Sequence, residues 1–439
     1  MLKTLVGAFK NKDIRKKILY TLMILVIVRV GSLLPIPGVD TEYFSSLLSG
    51  INTGDLSYLS AFTGGSFERM SLFALSITPY ITSSIIMQLL AIAIPKLEEM
   101  QKEGEDGRKK IAAITRYVTI ALALIESIAM AVGFGRSGLI KGYQGFSTLH
   151  YIVSIIVVVA ALTAGSAMLM WLGERITENG VGNGISIVLL INIISGMPSD
   201  FATLYSTFVA PRTIAKGVLA AAIIIAILVV MVVLVCFLQD GERRIPVQYS
   251  QKVSGRKTFG GQSTNIPLKV NTAGVMPVIF ASSLMQFPVI IAQLFGKSYE
   301  WTRYLSSSYW CRISAPKYSI GLILYIVLLI IFAYFYTSIT FNPIEVADNL
   351  KKAGGVIPGI TPGKSTSEYL NNILNYIVFV GAVGLLIIAL IPIMCTGFFN
   401  ASVSFGGTSV IIIVGVVLET LKQIESQMVN RYYKGFLSE

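Results

Sequence analysis

Few residues in this 439-residue chain could do chemistry, and their spacing argues against most of it. The run PGITPGKST has the look of a phosphate-binding loop. Yet only three residues separate Gly359 from Gly363-Lys364-Ser365, one short of the wrap a phosphate needs, and no strand precedes them. ENGVGNG carries a glycine at every second position but joins two apolar runs, which suits a tight turn better than a dinucleotide site. His150 is the sole histidine, leaving no His-based triad or zinc set. Cys236, Cys311 and Cys395 are distant and odd in number, so neither a disulfide framework nor metal-ligand spacing follows. What remains is a set of polar groups inside apolar runs. Arg29, Glu126 and Glu419 are functional candidates by position, with pairing between helices or an interfacial location as the structural alternative. A row of hydroxyls, Ser76, Thr78, Thr82, Ser83 and Ser84, surrounds Pro79. A proline frees a carbonyl, and in hydrocarbon the freed group needs a hydroxyl, water or helix beside it.

The elements that hold these residues are membrane spans. At 54% hydrophobic and 13% charged, with mean hydropathy +0.72, the chain carries more apolar surface than a water-soluble globule can bury. Runs long enough to cross about 30 Å of hydrocarbon fall near 18–34, 71–95, 117–134, 150–172, 184–205, 217–238, 273–295, 319–341, 373–396 and 405–424. The basic, then apolar, N-terminus lacks a small-residue cleavage site and carries Arg29, so it is expected to be a retained first span. Of the 35 Lys and Arg, 25 fall on the side of the termini, nine on the other and Arg29 within a span. Both termini are therefore expected in the cytoplasm, and the net charge of +12 is largely this bias.

Ten spans divide into five and five, so the second half enters the membrane in the opposite sense and inverted repeats become possible. PYITSSIIMQ (79–88) and PVIFASSLMQ (277–286) align without gaps at Pro, Ile, Ser, Met and Gln, and each lies in the second span of its half. Proline-interrupted segments at matching positions of two halves point to a central functional site. The expected architecture is thus an all-α polytopic membrane protein of ten transmembrane helices in two inverted, pseudo-symmetric halves. Residues 1–17 form a cytoplasmic N-terminus, 18–210 the first half, 211–424 the second half and 425–439 a cytoplasmic tail, with long loops at 239–272 and 342–372.

The motifs RVGSLLPIPGVD, SITPYITSSIIMQLL, MWLGERITENGVGNGISI, QSTNIPLKVNTAGVMPVIFASS, FNPIEVADNLKKAGGVIPGITPG and SFGGTSVII are similar, in order and spacing, to those of the SecY family, the channel subunits of the Sec protein translocase. The resemblance runs from about Ile14 to the last span. It implies an hourglass pore between the halves, closed by an aliphatic ring at Ile77, Ile81, Ile185, Leu189, Ile279 and Ile412. Ile77 and Ile81, like Ile185 and Leu189, are four apart and so share a helix face. Such a collar can stop ions by dewetting. The resemblance also implies a plug at 55–68. There Leu56, Leu59 and Phe62 fall at helical spacing and Gly64 and Gly65 interrupt the helix. It further implies a lateral gate between the second and seventh spans, lined by Pro79, Thr82, Gln88, Asn271, Ser282, Ser283 and Phe287.

The loop QDGERRIPVQYSQKVSGRKTFGGQSTNIPLKVN has strand-like stretches around a basic turn, Ser254 to Lys257, and reads as a protruding hairpin. By resemblance it and the second loop dock the ribosome and the SecA motor through Arg243, Arg244, Arg256, Lys257, Lys351, Lys352, Thr361 and Lys364. Thr361 stands where the family usually has arginine, which puts the usual motor contact in doubt. The implied partners are SecE-type and SecG-type small membrane subunits, SecA, the ribosome, secretory precursors with their signal sequences, and membrane lipids. The implied location is the bacterial cytoplasmic membrane. No cofactor, metal or catalytic residue is expected. A secondary transporter is the rival class, but the midplane ligand cluster it needs is not evident.

Overall fold

The structure is a computed structural model, and it describes residues 7, 9–50, 63–135, 148–210, 214–249, 252–254, 257–259, 263–294, 300–312, 316–399 and 407–435. Its long helices coincide with the ten apolar runs. They are α1 (Lys12–Leu33), α3 (Thr78–Ala93), α5 (Glu105–Phe134), α6 (Thr148–Asn179), α7 (Gly184–Leu204), α8 (Ile214–Asp240), α9 (Met276–Leu294), α10 (Ile320–Thr340), α12 (Lys364–Phe399) and α13 (Gly407–Gly435). Shorter helices are α2 (Thr41–Gly50), α4 (Pro95–Lys102) and α11 (Pro343–Lys352). Among the described residues, six helices are individually long and apolar enough to cross a membrane, and α3 with α4 adds a seventh candidate bent by 106°. Helix α1 starts earlier than its apolar run. The Asn11 side chain accepts from the Asp13 N–H at 3.2 Å and caps the helix among charged residues.

The second span departs most from expectation. Pro79 does not kink a long helix: residues 63–77 run as turns, and helix α3 begins only at Thr78, with Pro79 in its first turn. Pro277 likewise sits in the first turn of α9. There the missing N–H costs nothing and the fixed φ favours helix entry. Three residues before each proline the backbone is left-handed, at Ser76 (φ 52°) and Gly274 (φ 63°). The two matched segments therefore share a local design: a reversal of the chain, then a proline-started helix.

Turns 63–77 are held by protein. The Ile36 N–H donates to the Met70 carbonyl at 3.1 Å and the Leu72 N–H to the Leu34 carbonyl at 2.9 Å, closing a bridge between Pro35 and Ser71. The segment passes so close to α6 that a Cβ on Gly165 would lie 1.9 Å from the Leu72 carbonyl oxygen. Hydroxyl pairs tie α3 to α5 (Ser83 to Thr119, 2.5 Å) and α5 to α6 (Ser127 to Thr163, 2.8 Å).

The two long loops form one sheet. Strand β1 (Glu242–Tyr249) pairs antiparallel with β4 (Ser263–Lys269), from Glu242 opposite Lys269 to Gln248 opposite Ser263. Strand β5 (Gly355–Val356) joins the other edge of β1. Between β1 and β4, β2 (Lys252–Ser254) and β3 (Lys257–Phe259) pair with Ser254 opposite Lys257, as a hairpin requires. Ile245, Val247 and Leu268 of the sheet pack with Leu350, Ile357, Leu370, Ile373 and Ile377, fixing it on α11 and α12.

Gly165→Val, which drives a side chain into the Leu72 backbone, is expected to cost at least about 1–3 kcal/mol. A lowered thermal aggregation midpoint of the purified protein would register this. Gly196→Ala, where a Cβ meets open space, should stay within about 0.5 kcal/mol of the parent.

Candidate functional site: a polar mouth above an aliphatic throat

Two adjoining cavities run into the helix bundle and share Tyr80, Asn183 and Ile185. The outer one, about 520 Å³, is lined by polar groups that include Arg116, Glu174, Glu178, Glu419 and Gln423. Arg116 Nε donates to Glu174 Oε1 at 2.7 Å, pinning α5 to α6 at the rim. The Lys422–Asp240 ion pair, 2.7 Å, joins α13 to the end of α8 where β1 follows, so this mouth opens on the side that carries the sheet.

The inner cavity, about 260 Å³, is smaller and lined mainly by aliphatic and aromatic side chains. Ile81 of α3, Ile185 and Leu189 of α7, Ile279 of α9 and Ile412 of α13 all line it. Ile77, the sixth residue of the expected ring, is buried in the same hydrophobic cluster one turn before Ile81. The internal match now has a spatial meaning. Ile81 and Ile279 occupy the same place after their prolines, and both face one cavity.

Local chemistry sets these side chains. The Asn183 side chain accepts from the Ile185 and Ser186 N–H groups, starting α7 at the junction of the two cavities. The buried Asn192 amide donates to Ser76 Oγ at 3.1 Å, holding the reversal that precedes α3. Sequence reasoning missed Asn192, although a lone asparagine in the apolar run LLINIISG was a signal for it. It also missed Tyr80, Phe280, Tyr336 and Val416 on the cavity wall, which Ser84 of the hydroxyl row joins.

Of the expected gate residues, Gln88 lines the inner cavity. Its Nε2 reaches Ser84 Oγ only at 3.4 Å, and its buried Oε1 has no hydrogen-bond partner among the described residues. Thr82 donates to the Thr78 carbonyl at 3.1 Å, and buried Asn271 folds back to the Gly274 carbonyl at 2.9 Å. Ser282 and Ser283 are half-buried, and Phe287 is 40% exposed. Pro79 is buried at the helix start.

Gly64 (φ 61°) and Gly65 (φ 79°) take left-handed conformations, and Gly64 lies so close to α7 that a Cβ would meet Ser195 Oγ at 2.5 Å. Leu56, Leu59 and Phe62 lie outside the described residues, as does Arg256. Lys257 is placed in β3 by its backbone. Arg243, Arg244, Lys351, Lys352, Thr361 and Lys364 are exposed on the sheet side, and the Thr361 carbonyl accepts from Thr366 Oγ1 at 2.9 Å. Buried Arg29 Nη1 has no hydrogen-bond partner among the described residues. Glu419 belongs to the mouth, whereas Glu126 is half-buried on α5.

Fold and site together define a polytopic helical membrane protein built around a two-stage funnel. The family model described as SecY matches residues 71–421. The protein translocase subunits SecY of Streptomyces galbus and Halalkalibacterium halodurans are 44% and 42% identical, each aligned over 100% of both chains. Among solved structures, one described as a protein conducting channel is similar at a TM-score of 0.61 and 18% identity. The match covers 94% of this chain and 93% of that one. Canine Sec61 in a ribosome–channel complex is similar at 0.58 and 17% identity, with 94% and 93% covered. The chain belongs to the SecY family.

Asn192→Leu leaves the Ser76 reversal without its amide donor and should cost about 1–3 kcal/mol. A fall in thermal midpoint together with faster protease cleavage within 63–77 would show it; an unchanged protein would mean the bond does not hold the turn.

Proposed function

We propose that this chain is the protein-conducting subunit of a Sec translocase in the bacterial cytoplasmic membrane. It threads secretory polypeptides across the membrane and releases transmembrane segments sideways into lipid. The observation that carries this reading is the convergence of aliphatic side chains from four helices, α3, α7, α9 and α13, on one narrow cavity beneath a polar mouth. A passing chain meets hydrogen-bonding groups at the mouth and then a constriction whose branched side chains deform around it. When the channel is idle, a collar of this kind excludes water and so stops ions. Ile77, Ile81, Ile185, Leu189, Ile279 and Ile412 form the seal, and the segment at 55–68, hinged at Gly64 and Gly65, closes it as a plug. A structure of another SecY protein describes its plug domain as stabilising the closed state and the membrane seal.

The sideways exit lies between α3 and α9, with Pro79, Thr82, Gln88, Asn271, Ser282, Ser283 and Phe287 along it. Among the described residues, the hydrogen bonds of Thr82, Gln88 and Asn271 stay within their own segments, which suits a seam that must part. The sheet side faces the cytoplasm, in keeping with its excess of Lys and Arg. There Arg243, Arg244, Arg256, Lys257, Lys351, Lys352, Thr361 and Lys364 meet the ribosome or SecA, as the ribosome-bound canine relative suggests for the former. SecE-type and SecG-type subunits complete the complex. The driving force comes from chain synthesis or from the motor's ATP, not from catalysis by this chain.

Liposomes holding the full-length chain, a SecE-type partner and SecA should protect a secretory precursor from external protease in an ATP-dependent manner. Serine at Ile81, Leu189 and Ile279 together should raise resting ion leak several-fold. Ion-coupled uptake of a small solute without protected precursor would replace this reading with a transporter.

Leucine at both Gln88 and Asn271 should tighten the seam. With contacts of about 0.6–2 kcal/mol at stake, export of weakly hydrophobic signals is expected to drop roughly three- to thirty-fold, while strongly hydrophobic signals are spared. Equal export of both signal classes before and after substitution would refute the assignment.

A further inference from the structure

The loop between α9 and α10 lies on the side opposite the sheet, and the funnel makes no use of it. It is nonetheless a built structure. Trp310 is 2% exposed, and its Nε1 donates to the Tyr304 carbonyl at 2.8 Å. Gly321, at the start of α10, lets that carbonyl approach so closely that no Cβ would fit. The Cys311 N–H donates to Ser319 Oγ at 3.3 Å, with Cys311 itself in the left-handed region (φ 57°). Tyr304 and Tyr309 both pack edge-on against Tyr318, with centroids 5.0 and 6.0 Å away.

Three cations are mounted on this aromatic base. The guanidiniums of Arg303 and Arg312 stand 5.8 and 4.9 Å from the Tyr309 ring centroid. Lys317 Nζ is 5.0 Å from that of Tyr318, and both Lys317 and Arg303 lie in reach of the Tyr318 hydroxyl. Glu300 lies near enough to act on Arg303 and Lys317, but among the described residues none of the three cations has a carboxylate within ion-pair distance. Arg312 Nε is buried there without a hydrogen-bond acceptor. A buried guanidinium donor lacking an acceptor calls for an anion, and guanidinium geometry suits a phosphate.

The surroundings say where that phosphate comes from. The cations stand at the very start of α10, where Ile320 and Ile323 are 63% and 62% exposed on a span that faces lipid, and Trp301 beside them is 44% exposed. Exposed Trp and Tyr at the end of a span mark the headgroup level of a bilayer. Arg303, Arg312 and Lys317 are also three of the nine Lys and Arg on the side where such residues are scarce, so topology does not account for them.

We propose that Arg303, Arg312 and Lys317, held on Tyr309 and Tyr318, bind the phosphate of an anionic phospholipid headgroup in the leaflet opposite the sheet. The test uses the full-length chain carrying Trp171→Phe, reconstituted in phosphatidylcholine vesicles, with the fluorescence of the two remaining tryptophans, Trp301 and Trp310, both in this loop, as the reporter. Acyl-brominated phosphatidylglycerol should quench it more strongly than acyl-brominated phosphatidylcholine. The preference should fall roughly fivefold for each cation removed in R303Q, R312Q and K317Q, and should weaken with added salt. R312K, which keeps the charge but not the planar donor set, should lose part of the preference and guard against misfolding of the glutamine variants. Equal quenching by the two lipids in the parent, or an unaltered preference in the variants, would overturn the proposal. Abolition of the preference by dilute inorganic phosphate would reassign the site to a soluble ion.

Discussion

Peptide groups that are not in a helix cannot face hydrocarbon unsatisfied, and this one constraint organises the molecule. Residues 63–77 and the turn before α9 are non-helical stretches beside apolar spans, so each must be enclosed by protein or line a cavity. Both solutions are present. The Pro35–Ser71 bridge, the contact with Gly165 and the Asn192–Ser76 bond enclose the first reversal. The helices that leave the two reversals then place Ile81 and Ile279 on the wall of a common cavity. Helices begun late are what leave room for a throat.

The proposed seam follows from the same choice. A helix of 16 residues, about 24 Å long, does not cover the hydrocarbon alone, and α3 continues into α4 only through a bend of 106°. Its anchor is the Ser83–Thr119 hydroxyl pair on the α5 side, whereas its cavity side carries the under-bonded Gln88. One face of α3 is fastened and the other is lightly held.

Much of this was legible in the sequence. Ten apolar runs became ten helices because length and hydropathy dominate in a membrane, and the hairpin was visible because its strands alternate around a basic turn. The late start of α3 was not legible. Residues 71–77 read as the start of the apolar run, and the break shows only in the fold, where Met70 and Ser76 take left-handed φ and the Asn192 amide bonds Ser76. The proline was noticed but misread: it opens a helix where an interior kink was expected. The throat residues were legible only through resemblance, since isoleucine in a cavity wall has the same periodicity as isoleucine in a packed core. The basic cluster beside α10 escaped entirely, because Arg303, Arg312 and Lys317 converge through the fold of a loop that has no periodicity.

Strand β5, two residues long, has an effect out of proportion to its size. By clasping β1 it makes a single stiff plate of two loops that are about a hundred residues apart in the chain, and that plate is rooted in α8, α9 and α12 at once. The two loops are therefore one body, and a load on either is shared among these three helices of the second half.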